Sequence, residues 1–235
     1  MNTNQNTNNK KMNIQTIQET QKFVSNHMKH YDASHDYQHV MRVVNYAKQI
    51  YQGELESGRI DHLIEKINEK ELAFIIEMSA LIHDVNDHKY SNETSLSVFL
   101  INQNVNQDHI ELILYVVENV SFSKEKKHGT PLFEKGESDI ALFVLNVVRD
   151  ADRLDAIGAI GIARTFIFSY NTKNPIYEPG KSLNQNEKST VGHFYEKLLL
   201  LKDGMKNPFA KSMAQGRHDI MVLFLEQLKN EICEK

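Results

Sequence analysis

The sequence predicts an all-α, single-domain helical bundle. Apolar residues recur at three- and four-residue spacing almost throughout, and no convincing alternating strand pattern occurs. Only 4 prolines and 10 glycines punctuate the 235 residues, and no internal linker is long enough to divide the chain. With 40% hydrophobic and 25% charged residues, the composition is that of an ordinary globular protein.

The elements follow in order. Residues 1–12 are polar and low in complexity and read as a disordered tail; residues 13–235 read as the domain. Ile14, Ile17, Phe23, Val24 and Met28 mark a loose first helix. Ser34 is the expected N-cap of a second helix running to about Gln52, with the stripe Val40, Val43, Val44, Ala47, Ile50, Tyr51. Gly53–Arg59 reads as a polar loop, 60–67 as a short helix and 70–85 as the buried core helix. Ser91 is expected to cap a helix over 92–103, and Asp108 to open one over Ile110–Val120. Residues 121–137, containing Lys124-Glu-Lys-Lys-His-Gly-Thr-Pro, read as a solvated loop. Asp139 to about Tyr170 is strongly apolar again. Residues 171–190, rich in Asn, Gly, Pro and Lys, read as a long loop of the kind that is functional or mobile. Two helices, at about 191–204 and 208–231, complete the chain.

Several function classes are disfavoured. The first residues hold no apolar run, so no secretory signal is expected. The longest apolar stretches, Ala141–Val148 and Ala156–Tyr170, are interrupted by Asn146 and Arg164 and fall short of the ~18 clean residues of a membrane span. The lone Cys233 excludes a disulfide framework, and a cytoplasmic location is expected. A net charge of −4 gives no global footprint for nucleic acid.

Three polar islands interrupt the apolar helices: Ser34-His-Asp-Tyr-Gln-His39, His83-Asp84, and Arg149-Asp-Ala-Asp-Arg-Leu-Asp155. An ionised carboxylate among buried hydrocarbon is costly unless it is paired or bound to metal. Three islands on separate helices suggest one shared divalent ion. A metal-free helical scaffold, its aspartates paired with arginine, is the alternative.

Helical geometry sorts the residues within each island. His35 and His39 are four residues apart and face one way if the helix already includes His35. His39 lies at the edge of the buried face and, taken alone, reads as a structural histidine. His83 and Asp84 point about 100° apart. Asp87 lies four residues after His83, and His88 four after Asp84, so the four form one polar patch at a helix end. Asp152 and Asp155 share a face that continues to Ala156, Ala159 and Ala163, whereas Asp150 points nearly opposite. Asp150 reads as neutralised by Arg149 and Arg153, and Asp152, flanked by apolar sequence, as a ligand.

The order His…His-Asp…Asp on helices resembles the HD-domain superfamily of metal-dependent phosphohydrolases. The closer resemblance is to a bacterial-type subfamily of small HD hydrolases related to the YpgQ and YedJ proteins. It is carried by Ser34-His-Asp-Tyr-Gln-His-Val-Met-Arg-Val, Ala80-Leu-Ile-His-Asp-Val-Asn-Asp-His-Lys, Asp150-Ala-Asp-Arg-Leu-Asp-Ala-Ile-Gly-Ala-Ile-Gly-Ile-Ala-Arg, Pro175-Ile-Tyr and His193-Phe-Tyr-Glu-Lys. It spans roughly residues 20–231.

The resemblance implies an HD-type bundle with a metal site between helices, ligated by His39, His83, Asp84 and Asp152. Two imidazoles and two carboxylates suit one ion of Mn, Co, Ni, Fe or Zn, with positions left for water and substrate. It further implies hydrolysis of a nucleotide phosphoanhydride, a (deoxy)nucleoside triphosphate giving monophosphate and pyrophosphate. Asp87 or His88 would then accept the proton of the attacking water, and Lys89, Arg153, His193 and Lys197 would neutralise the polyphosphate. Taken singly, these lysines and the arginine read as solvated surface residues. His35, Glu118 and Asp155 carry no assigned role. The expected partner is a small-molecule nucleotide, with no stable nucleic-acid complex and no membrane; a homodimer stays open. Other activities of the fold (triphosphohydrolase, nucleotidase, phosphodiesterase) and a non-catalytic metal- or nucleotide-binding module are the competing readings.

Overall fold

The computed structural model of the chain describes residues 2–85, 96–185 and 188–233, without the side chains of 2–12, 185 and 233. Among these residues there are eleven α-helices and no strand. The backbone of residues 2–12, expected as a tail, continues the first helix, α1 (Asn2–His27), and the first buried side chain described is Thr16.

At the centre, α2 (Tyr37–Glu56) packs against both α4 (Glu69–Ile82) and α8 (Ser138–Asp155). The stripe from Val40 to Tyr51 is buried in this three-helix contact, together with an almost unbroken run from Leu72 to Ile82. The N-cap of α2 is Asp36, not Ser34: the Asp36 carboxylate accepts from the His39 amide at 3.0 Å. Ser34 belongs to the preceding turn, where its amide and hydroxyl donate to Asp32. This placement puts His39 in the first turn of α2, while His35 lies outside the helix.

α2 also runs past Gln52 through the expected loop. Gly53 sits inside it because a Cβ there would fall 2.2 Å from the Phe209 ring. The adjacent Glu54 is buried, accepting from Arg59 at 2.5 Å and from the Phe209 amide at 3.0 Å. The glycine therefore marks close packing rather than a turn.

The short α3 (Asp61–Ile64) leads into α4, capped by Asn68. α5 (Leu96–Asn102) and α6 (Gln107–Asn119) follow, α6 capped by Asn106, two residues before the expected opening at Asp108. Ser91 and the start of the expected 92–103 helix lie outside the described residues. The segment 121–137 is not all loop: Ser121 caps α7 (Phe122–His128). Its lysine and glutamate content is compatible with a helix, and Glu125 anchors it to Arg153 and Arg149.

α8 stops at Asp155, and α9 (Gly158–Thr172) starts after a sharp change of direction. Gly158 has φ +76°, and a Cβ there would lie 2.9 Å from Arg217 Cβ, two independent reasons for glycine. The break also ends the continuous face expected beyond Asp155: Ala159 and Ala163 are exposed. After a long connection come α10 (Thr190–Glu196) and α11 (Pro208–Cys233), the latter against α9. The connection closes where the Thr190 and Val191 amides donate to Pro175 and Ile176 carbonyls. None of its described residues from 171 to 188 lines the cleft described below. No helix among the described residues is long and apolar enough to cross a membrane.

Candidate metal centre

Four side chains from three elements converge. His39 comes from the first turn of α2, His83 and Asp84 follow the last residue of α4, and Asp152 lies in the last turn of α8. His39 Nε2 is 3.2 Å from Asp84 Oδ2 and 3.6 Å from Asp152 Oδ1; His83 Nε2 is 3.5 Å and 3.9 Å from the same two atoms. Both imidazoles are buried, and Asp152 is 35% exposed. His39, His83 and Asp84 form a cluster able to hold a metal ion.

The outer nitrogens explain why the inner ones are available. His39 Nδ1 donates to Asp155 Oδ2 at 2.7 Å, and His83 Nδ1 donates to the Ala80 carbonyl at 2.8 Å. A carboxylate and a carbonyl only accept, so each ring carries its proton on Nδ1 and turns an Nε2 lone pair inward. Despite burial, His39 Nε2, His83 Nε2 and Asp84 Oδ2 have no hydrogen-bond partner among the described residues. Inward lone pairs beside two carboxylates are a donor set that could hold a metal ion.

The charges agree. Burial opposes ionisation of Asp84, yet His83 and His39 outweigh it and hold its carboxyl well below the usual carboxylate range. Without an ion, burial pushes the His39 pKa down, while the hydrogen bond to Asp155 and the nearby Asp84 carboxylate push it up, and the carboxylates prevail; a metal ion at Nε2 would take the place of that second proton. The pocket thus attracts positive charge to the place where the four atoms meet.

No family model matches the chain. The YpgQ protein of Bacillus subtilis is 34% identical over 206 residues, which cover 85% of this chain and 85% of YpgQ. The chain belongs to the YpgQ-like branch of the HD superfamily. The crystal structure of YpgQ in complex with ADP superposes with a TM-score of 0.69 at 26% identity, covering 94% of this chain and 97% of that one. A Lactobacillus plantarum protein gives a TM-score of 0.71 at 30% identity, over 92% and 95% of the two chains. An HD-superfamily hydrolase from Bacillus thuringiensis gives 0.66 at 30% identity, over 95% and 100%.

The HD centre opens on a cleft of about 700 Å³. Asp84, His83 and Asp152 line it, as do Arg153, His193 and Lys197 from the expected phosphate-binding set. These cleft cations are engaged with protein groups. Arg153 is buried, donating to the Gly204 carbonyl at 2.9 Å and closely paired with Glu125, but its Nε has no partner among the described residues. His193 Nδ1 lies 2.9 Å from Glu196, and the Lys197 ammonium sits over the Phe122 ring at 5.8 Å. Glu118 is exposed and lines the cleft, and so does His35, which is not part of the metal cluster. Asp87, His88 and Lys89 lie outside the described residues.

Two aspartates of the third island have other work. Asp150 is not neutralised chiefly by arginine: Arg153 is 4.0 Å away, whereas the Lys206 and Asn207 amides and the Asn207 side chain donate to it at 2.7–3.1 Å. It anchors the start of α11. Arg149 turns elsewhere, to the Asn119 carbonyl and Thr130. Asp155, left without a role by the sequence, is fully buried and accepts from His39, from Arg42 at 2.7 and 3.0 Å, and from Arg164 at 3.0 Å. Burial opposes its ionisation, but His39 and Arg42 hold it well below the usual carboxylate range. The available signal was its place on the same face as Asp152, one helical turn on.

Proposed function

We propose that the chain is a metal-dependent nucleotide pyrophosphohydrolase, cutting a (deoxy)nucleoside triphosphate to monophosphate and pyrophosphate. The observation that carries this reading is the convergence of His39 Nε2, His83 Nε2 and Asp84 Oδ2, buried and without hydrogen-bond partners among the described residues, beside a cleft of about 700 Å³ that Arg153, Arg164 and Lys197 also line. ADP in the related YpgQ structure supports a nucleotide as ligand.

In this reading His39, His83, Asp84 and Asp152 hold one divalent ion of Mn, Co, Ni, Fe or Zn. Such an ion polarises a phosphoryl oxygen and makes water a nucleophile near neutral pH. Asp155 and the Ala80 carbonyl keep the two imidazoles oriented for it. Water attacks the α-phosphorus, the bond to the αβ-bridging oxygen breaks, and pyrophosphate leaves. Asp87 or His88 takes the proton of the water. Lys89, His193, Lys197 and the Nε edge of Arg153 would neutralise the β- and γ-phosphates.

The test is a nucleotide panel run with each of the five metals in oxygen-18 water, products resolved. Label in the monophosphate with pyrophosphate released supports the reading. Tripolyphosphate, or orthophosphate from a monophosphate, replaces it with a triphosphohydrolase or nucleotidase. Asp87→Asn is expected to lower kcat with metal content unchanged; metal loss equal to the rate loss would remove Asp87 from the proton transfer.

A further inference from the structure

Asp155 is met by two guanidinium groups and an imidazole. Arg42 already meets this carboxylate with a fork, Nε to Oδ1 at 2.7 Å and Nη2 to Oδ2 at 3.0 Å, and His39 Nδ1 adds a third bond. Arg164 then donates Nη1 to the same Oδ2 at 3.0 Å. Two guanidinium groups thus share one carboxylate, and Arg42 also has Asp36 beside it.

The second guanidinium, that of Arg164, is held in place. Arg164 Nε donates to the Ser34 carbonyl at 2.6 Å, so bonds from two of its three nitrogens fix the guanidinium. The side chain is only 12% exposed and lines the same cleft as Asp84 and Asp152. Its remaining nitrogen, Nη2, donates to no group among the described residues. Oδ2 of Asp155 binds both Arg164 Nη1 and His39 Nδ1, so a single oxygen separates the guanidinium from an imidazole whose opposite nitrogen faces the metal position. A rigid, partly desolvated guanidinium with an open donor is suited to an anionic oxygen, because it gives up little freedom on binding.

We propose that Arg164 is a substrate-binding residue that holds a phosphoryl oxygen of the group bound at the metal centre. This rests on the phosphohydrolase reading above, and it assigns a phosphate contact on α9, facing the centre from the side of His35.

Two variants and two probes test it. Calorimetry of the purified full chain measures Mn²⁺ binding, and then binding of inorganic pyrophosphate and of α,β-methylene dATP to the Mn²⁺-saturated protein. Arg164→Gln is expected to keep Mn²⁺ affinity within about threefold, because Arg42 still forks Asp155, and to weaken pyrophosphate about tenfold or more. Arg164→Lys, which keeps the charge but not the fork, is expected to fall between. Unchanged pyrophosphate affinity in Arg164→Gln would overturn the assignment. So would loss of Mn²⁺ binding or of the fold in both variants, which would make Arg164 a structural support. Arg164-dependent pyrophosphate binding without binding of the nucleotide analogue would overturn the nucleotide reading and leave Arg164 in place. A wild-type protein that binds neither probe would overturn both.

Discussion

His39 and Asp155 are joined across α2 and α8 by a 2.7 Å hydrogen bond from Nδ1 to Oδ2, with both side chains fully buried. The bond does two things at once. It locks two central helices together, and it sets the tautomer that leaves His39 Nε2 free to ligate.

Removal of that acceptor should therefore be read first in metal affinity. Asp155→Ala is expected to weaken Mn²⁺ binding about 10–100-fold, the usual effect of losing a partner behind a ligating histidine. Asp155→Asn retains an acceptor oxygen for His39 and should lose less. Calorimetric titration of both variants checks this, and Asp155→Ala with wild-type affinity would contradict it.

Asp84 supplies a carboxylate oxygen with no other partner among the described residues. Adding Mn²⁺ at about 100 times its Kd should stabilise the wild-type protein by roughly 2.7 kcal/mol, seen as a higher thermal midpoint. Asp84→Ala should show no such rise and should purify without metal. Retention of full occupancy by this variant would remove Asp84 from the ligand set.

Glu125 faces Arg153, Arg149 at 3.3 Å and Lys206 at 3.5 Å, and holds α7 against α8. Burial opposes its ionisation, but the three cations outweigh it and lower its pKa below the ordinary 4.5. The folded value lies below the unfolded one. The stabilisation is therefore complete above about pH 4.5 and lost as pH falls through the folded value. Glu125→Gln should cost about 2 kcal/mol at pH 7, less than a fully buried pair because Glu125 is 17% exposed. Urea denaturation at several pH values should show the cost shrinking below pH 4.5.

Gly158 permits the turn between α8 and α9 that brings Arg164 back over Asp155. Gly158→Ala combines a left-handed backbone with a contact 2.9 Å from Arg217 Cβ, and should cost about 2 kcal/mol. In a domain of this size that lowers the thermal midpoint by about 4–8 °C. An unchanged midpoint would show that the turn relaxes without cost.

The sequence by itself determined the helical class, the buried faces of α2 and α4, and the three islands. Each of these is a local pattern: helical spacing places residues three and four apart on one face, so a polar residue breaking an apolar stripe is visible within one turn. The order His39, His83-Asp84, Asp152 also carried the likeness to the HD superfamily. The tertiary structure alone decided which aspartate does what. Asp150, Asp152 and Asp155 lie within six residues, yet one holds the start of α11, one faces the cleft and one backs His39. Their partners lie 57 residues away for Asp150, and 116 and 113 residues away for Asp155 with His39 and Arg42. No local period reports such distances. Gly53 and α7 were misread for the same reason. Gly53 is explained by Phe209, 2.2 Å from its absent Cβ, and α7 by arginines that lie one helix later in the chain. Packing between elements far apart in the chain supplies these pairings, because burial leaves each charged group no water and only the neighbours that the fold brings to it.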